Sequence, residues 1–195
     1  MFKDLTGKDI RIFQIECLKD ETWPDKLQNH FDDPVWSFIQ NNHRYNSLLW
    51  GEEDLARRRN VSDTEIACNK RNIDNYNQKR NDHIEKIDEA IINRVPTSHN
   101  FKEEVWMNSE TAGSIIDRLS INVLRGFNME KQMKQKKFCS TLGEKLKIVE
   151  HQGHHLLSCL DALLKSIQEG KAIFRIYKQL KMYNDPKLNP YLKNV

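Results

Sequence analysis

Ile39, His43, Asn46, Trp50, Glu53 and Arg57 follow one another at alternating four- and three-residue steps, the spacing that places side chains on one face of a helix. Most of that face is polar. A second run with the same rhythm, Ile66, Lys70, Ile73, Asn77, Arg80, Ile84, Ile87 and Ile91, is apolar at both ends and polar between them, so its inward orientation follows from its ends. Polar groups aimed into a bundle can do two kinds of chemistry. Lys70, Arg57 and Arg118 suit the negative group of a small anionic ligand such as an acidic sugar or a nucleotide sugar. Glu53, Asp54 or Glu110 could then act as acid or base if burial disfavours the charged carboxylate. His43, Asn46, Asn77, Arg80 and Asp117 complete the expected ligand-lining set.

A second reading carries equal weight on the residues alone. If the two runs fold back as an antiparallel hairpin about Val61, Glu53 meets Lys70, Asn46 meets Asn77 and His43 meets Arg80, with Arg57 opposite Ile66 and Trp50 opposite Ile73. The shared rhythm makes these one inference, fixed only to within a helical turn. Such pairs could be internal bridges that set register. Either way the groups need partners, because a buried polar group left unpaired costs about 1–3 kcal/mol and a charge more.

The elements that position these residues are marked by local punctuation. A short helix is expected over about Asp9 to Leu18, before Trp23-Pro24 interrupts. Asp33-Pro34 reads as an N-cap and first helical residue for a helix reaching Arg57, and Ser62-x-x-Glu65 as a capping box for one reaching Arg94. After a looser stretch from Pro96 to Met107, Asn108 to Thr111 opens a fourth helix running to Phe127 or beyond. That start could offer backbone N–H groups to an anion, although such ends are usually just capped; Asp117 and Arg118 are too close in sequence to share a face, so one of them points inward. From Phe138, Leu142, Leu146, Val149, Leu156, Leu160, Leu163 and Ile167 mark a long packing helix. A short helix from Ile173 to Met182 and a tail from 184 complete an all-α, single-domain bundle of about four long helices.

Composition narrows the class. With 31 basic and 28 acidic residues among 195, the net charge of +3 gives no general affinity for polyanions, and nucleic acid ranks last among partners. The runs Arg57-Arg58-Arg59 and Lys134 to Lys137 lack interleaved aromatics and read as solvated helix ends. No secretory signal or membrane span is visible, which makes the cytoplasm the expected location. Cys17, Cys68, Cys139 and Cys159 are far apart and read as reduced, mostly buried thiols. No Glu-x-x-His pair, phosphate loop, zincin motif or nucleophile elbow occurs, and no cofactor is expected. His151, His154 and His155 have ligand-like spacing but fall opposite the apolar face of their helix, and no metal is expected there.

The runs Asn42–Arg57, Ile66–Asp82, Asn108–Ser120 and Phe174–Pro186 together resemble a bacterial family known only as a domain of unknown function. Its members are helical and often encoded beside glycosyltransferases of lipopolysaccharide or other surface polysaccharides. The resemblance implies a role in such assembly and brings no catalytic residues with it. Two functions follow as expectations: a small-molecule site within the bundle, or a non-catalytic partner of a glycosyltransferase that makes contact through Tyr177, Tyr183 and Tyr191.

Overall fold

The computed structural model describes residues 5–27, 31–95, 105–135, 139–182 and 185–192. The expected all-α class is what is seen: five helices dominate these residues, with two strands of three residues each. Helix α1 spans Gly7–Lys19, with Thr6 Oγ1 accepting from the Asp9 N–H at 3.1 Å. Helix α2, Pro34–Leu55, starts where Asp33 caps the Val35 N–H at 3.1 Å and proline fixes the first helical φ. The capping box at the head of α3, Asp63–Ile92, is complete: Glu65 N–H donates to Ser62 Oγ, and Ser62 N–H donates to Glu65 Oε2. Helix α4 is Ala112–Lys134 and α5 is Cys139–Gln168. Gly170, at φ 68°, supplies the left-handed residue that ends α5.

Helices α2 and α3 form one hairpin and α4 and α5 another, and α4 packs on all four other helices. The core where they meet is aliphatic, with Ile10, Val35, Ile39, Ile87, Ile91, Ile116, Leu119 and Leu160 excluded from solvent. On α5, Val149, Leu160, Leu163 and Ile167 are buried while His151, His154 and His155 are exposed, as the spacing requires.

Three expectations need correction. The helix from Ile173 to Met182 is absent: β2, Ala172–Phe174, pairs in parallel with β1, Trp106–Asn108, and residues 175–181 then run without regular structure. Ala172 and Phe174 share a buried face at a spacing of two, so strand pairing satisfies a backbone that the apolar spacing alone suggested was helical. The strand β1 also enters the stretch read as loose. Of the three cysteines whose side chains are described, Cys17 is buried, its thiol pushed up to about 12 by burial and then by Glu16 and Asp20, while Cys68 and Cys159 are exposed. Tyr183, most of the 96–107 stretch and the end of the Lys134 to Lys137 run lie outside the described residues, as does the side chain of Cys139.

Candidate functional site

The inward part of the stripe closes on one carboxylate. Asp117 projects from α4 between α2 and α3, and its Oδ1 accepts from Asn42 Nδ2 at 2.8 Å and from Asn46 Nδ2 at 2.9 Å. Asn46 also donates to Ser120 Oγ at 3.0 Å, one turn along α4 from Asp117. Ser120 Oγ lies 2.8 Å from His43 Nδ1, and the ring is stacked under Trp23 at a centroid distance of 5.3 Å. Trp23 Nε1 donates to Ser47 Oγ, which donates in turn to the His43 carbonyl. Four polar residues of α2 and two of α4 thus form a single network.

A serine 2.8 Å from a histidine has the outline of an activated nucleophile, but both side chains have no exposed surface. Burial also drives the His43 imidazole down to about 3, which keeps it neutral and makes it a weak base; the Gln14 backbone acts weakly the other way. Nothing outside the fold can reach this pair. It is a structural hydrogen bond.

The network floors an open groove of about 310 Å³ between α2, α3 and α4. Asn46, Trp50, Glu53, Asp54, Arg57, Asn77 and Arg80 line it together with Leu49, Ile121 and Leu124. Asn77 and Arg80 are shared with a second, more polar cleft of about 640 Å³, whose other walls include Lys70, Asp74, Asn81, Gln179 and Lys181. Arg80 stands at the junction. Its side chain is 26% exposed, its Nε is buried 3.8 Å from Asp117 Oδ1, and among the described residues its guanidinium makes no hydrogen bond. The buried Nε faces Asp117, and the planar guanidinium lines both cavities.

The expected residues thus separate into four places. Asn46, Glu53, Asp54, Arg57, Asn77 and Arg80 line the first groove, and Lys70 the adjoining cleft. His43 and Asp117 lie beneath as support. Glu110 and Arg118 are on the other side of α4, facing α5, where Arg118 Nη1 donates to Glu110 Oε1 at 2.6 Å. Of Asp117 and Arg118 it is the aspartate that points inward.

The cross-hairpin pairs differ from expectation by one residue. Glu53 does not meet Lys70: Glu53 pairs with Arg57 at 2.8 Å and Lys70 with Asp74, each along its own helix. The bridge between the helices is made by Glu52, which accepts from Asn69 Nδ2 at 2.7 Å and from Asn72 Nδ2 at 3.1 Å. His43 does not face Arg80, because Asp117 and Ser120 occupy the space where that contact was expected. The axial register was right; the rotation about the helix was not.

The start of α4 already holds an anion, supplied by the chain itself. Asp88 of α3 accepts the Gly113 N–H at 2.7 Å, and Thr111 Oγ1 caps the Ser114 N–H at 3.1 Å. A β-carbon on Gly113 would stand 2.6 Å from the Ile84 carbonyl oxygen, so only glycine lets α3 come this close. Burial pushes the Asp88 carboxyl up to about 6, against the opposing hydrogen bonds from Thr111 and Gly113.

A family model described as Protein of unknown function (DUF4254) matches residues 36–176. The chain belongs to that family. No curated protein and no solved structure matches the chain. The DUF4254 match spans nearly all of α2, the whole of α3, α4 and α5, and both strands, and so includes every residue of the buried network and of the 310 Å³ groove. Helix α1 lies before it, and Gln179 and Lys181 of the polar cleft lie after it.

Sequence reasoning missed Asn42, Ser120, Gln14, Glu52 and Asp88. Asn42 and Ser120 carried a readable signal, since each lies one turn from a residue assigned inward, Asn46 and Asp117. Gln14 had none: it is a single amide in an otherwise apolar face, buried with both polar side-chain atoms unbonded among the described residues.

Proposed function

We propose that the groove between α2, α3 and α4 binds a small ligand joining a hydroxyl-rich ring to an anionic group, a sugar phosphate or nucleotide sugar, in lipopolysaccharide or surface-polysaccharide assembly. The observation that carries this reading is Arg80, a largely buried guanidinium with no hydrogen bond among the described residues, at the wall between two open cavities. Asp117 holds the Nε side of the group, and planar guanidinium donors beside two cavities suit a phosphate or carboxylate.

The surroundings divide the ligand. The 310 Å³ groove is at the small end of the range for ligand sites and combines the Trp50 face with apolar Leu49, Ile121 and Leu124. Its charges are mixed, with Glu53 tied to Arg57 and Asp54 exposed at the rim, so it favours an uncharged ring whose hydroxyls donate to carboxylates. The neighbouring cleft adds Lys70 and Lys181 against Asp74, so the anionic end belongs on that side of Arg80. Glu53 and Asp54 are the expected carboxylates that line this groove, but neither is buried as acid–base work would require; Glu110 faces elsewhere.

Isothermal titration of the protein with a panel of sugar 1-phosphates and nucleotide sugars tests the reading. Arg80→Ala is expected to weaken binding by about 10- to 100-fold, the worth of one or two charge-assisted hydrogen bonds of roughly 1.5–3 kcal/mol. Arg80→Lys should recover part of it, since lysine keeps the charge and loses the planar fork. A wild-type chain that binds no member of the panel, or an Arg80→Ala variant that binds as tightly as the parent, would sink the proposal.

A further inference from the structure

Residues 175–182 and 185–192 hold most of their apolar side chains out into solvent, although Gln179 is fastened to the fold. The Gln179 N–H donates to Glu85 Oε1 at 3.0 Å and Asn81 Nδ2 donates to Gln179 Oε1 at 2.8 Å, so this extended segment is pinned to α3 at both the backbone and a side chain. Leu180, next to that anchor, is nevertheless 85% exposed and Tyr191 is 88% exposed; Tyr177, Met182 and Leu188 are exposed as well. Beside the segment in the two-stranded sheet, β1 adds exposed Trp106 and Met107. Scattered surface hydrophobics are ordinary, but this many along one pinned stretch mark a contact surface.

Charge identifies the partner. The whole chain has a formal charge of +3, and residues 175–192 contain four basic side chains, Arg175, Lys178, Lys181 and Lys187, against one acidic one, Asp185. The rest of the chain sums to zero, and within the segment Lys178 also lies 3.9 Å from Glu89 of α3. Apolar and basic residues are interleaved: Tyr177 adjoins Lys178, Leu180 adjoins Lys181, and Leu188 adjoins Lys187. A protein interface depletes lysine from its buried centre and needs a continuous apolar core, which this interleaving prevents. A lipid surface imposes no such spacing. It takes tyrosine and leucine at headgroup depth while lysines reach anionic lipids. No helix among the described residues is long and apolar enough to cross a membrane, so attachment would be peripheral.

We propose that residues 175–182 and 185–192, with Trp106 and Met107 of β1, dock the protein on the surface of an anionic lipid bilayer. The inference does not depend on what the groove binds.

Co-sedimentation of the full chain with vesicles tests it, using phosphatidylcholine alone and phosphatidylcholine mixed with phosphatidylglycerol, at low and at high salt. Retention only on the mixed vesicles, reduced by salt, is expected. The double variant Lys178→Gln/Lys187→Gln should bind them about 25-fold more weakly, at about five-fold per basic residue. Leu180→Ser/Tyr191→Ser should weaken binding without changing its salt dependence. None of the four substituted side chains is part of the core, and circular dichroism confirms that each variant is folded. Equal retention on both vesicle types, no retention on either, or variants that bind like the parent would overturn the proposal. So would a salt-sensitive complex with an acidic protein formed by a chain that ignores both vesicles.

Discussion

The two halves of α2 carry the same kind of residues and use them differently. Asn42, His43 and Asn46 are buried and bonded to Asp117 or Ser120 across the helix interface. From Trp50 to Arg57 the polar side chains are half-buried or exposed, line an open groove, and satisfy one another along the helix, as Arg57 does with Glu53. The change follows what α4 presents: Ser120 bonds to the deep half, whereas Ile121 and Leu124 line the groove above it. A polar stripe on a bundle helix is therefore neither a structural network nor a binding surface as a whole. Each position takes the role that the third helix leaves it, and Arg80 lies on the boundary.

Breaking the deep half should cost most. Asp117→Ala removes the acceptor of two asparagine amides and the anion beside Arg80 Nε, and should destabilise the fold by about 3–5 kcal/mol in urea unfolding. A loss below about 1 kcal/mol would mean that water replaces the carboxylate and that the two halves do not differ in kind.

The next effect is on acid stability. Asp88 titrates at about 6 when folded and ordinarily at 3.8, so between those values the folded chain holds the extra proton and stability declines as pH rises. His43 does the opposite. Held at about 3 instead of 6.5, it leaves the unfolded chain to take up the proton, so stability declines as pH falls below about 6.5. The two slopes oppose each other between about pH 4 and 6. Asp88→Asn removes one of them, and the variant should lose stability on acidification across that window faster than the parent, by up to about 1.4 kcal/mol per pH unit. Parallel curves from parallel unfolding series would show that Asp88 is not held as the geometry implies.

The smallest effect belongs to the open half. Glu53→Gln and Arg57→Gln break an exposed i,i+4 pair and should each change stability by less than about 0.5 kcal/mol. A loss above 1 kcal/mol in thermal unfolding would place this pair with the structural network and erase the contrast.

Most of the helix boundaries were legible because their signals are local. Asp33-Pro34 and the Ser62–Glu65 box act within one turn, and no tertiary contact is needed to read them. The hairpin's axial register was legible for a similar reason, since a four-three rhythm aligns throughout once the turn is fixed. Its rotation was not. A shift of one residue turns a helix by about 100°, and Glu53 and Lys70 had acceptable partners in Arg57 and Asp74 on their own helices. The end of the sheet was lost to competition between levels: Ile173, Ile176, Tyr177 and Leu180 are spaced as on a helix, yet pairing with β1 and the hold of Glu85 on Gln179 decide the outcome. Six of the eleven proposed site residues came together in one groove because they share two helix faces. Glu110 and Arg118 did not, since periodicity alone does not say which side of α4 meets the hairpin.

The contact between Asp88 and Gly113 bears on how this architecture tolerates change. A carboxylate on α3 grips the first turn of α4 across 25 positions of sequence, with a fit that excludes even a β-carbon. The orientation of α4 is thus set by that grip and by its packing, and β1, just before it in the chain, is held separately by β2. Lengthening a connection costs only closure entropy, about 0.6 kcal/mol for each doubling. Residues inserted between α3 and β1 should therefore leave α4, and the groove that its Ile121 and Leu124 line, in place.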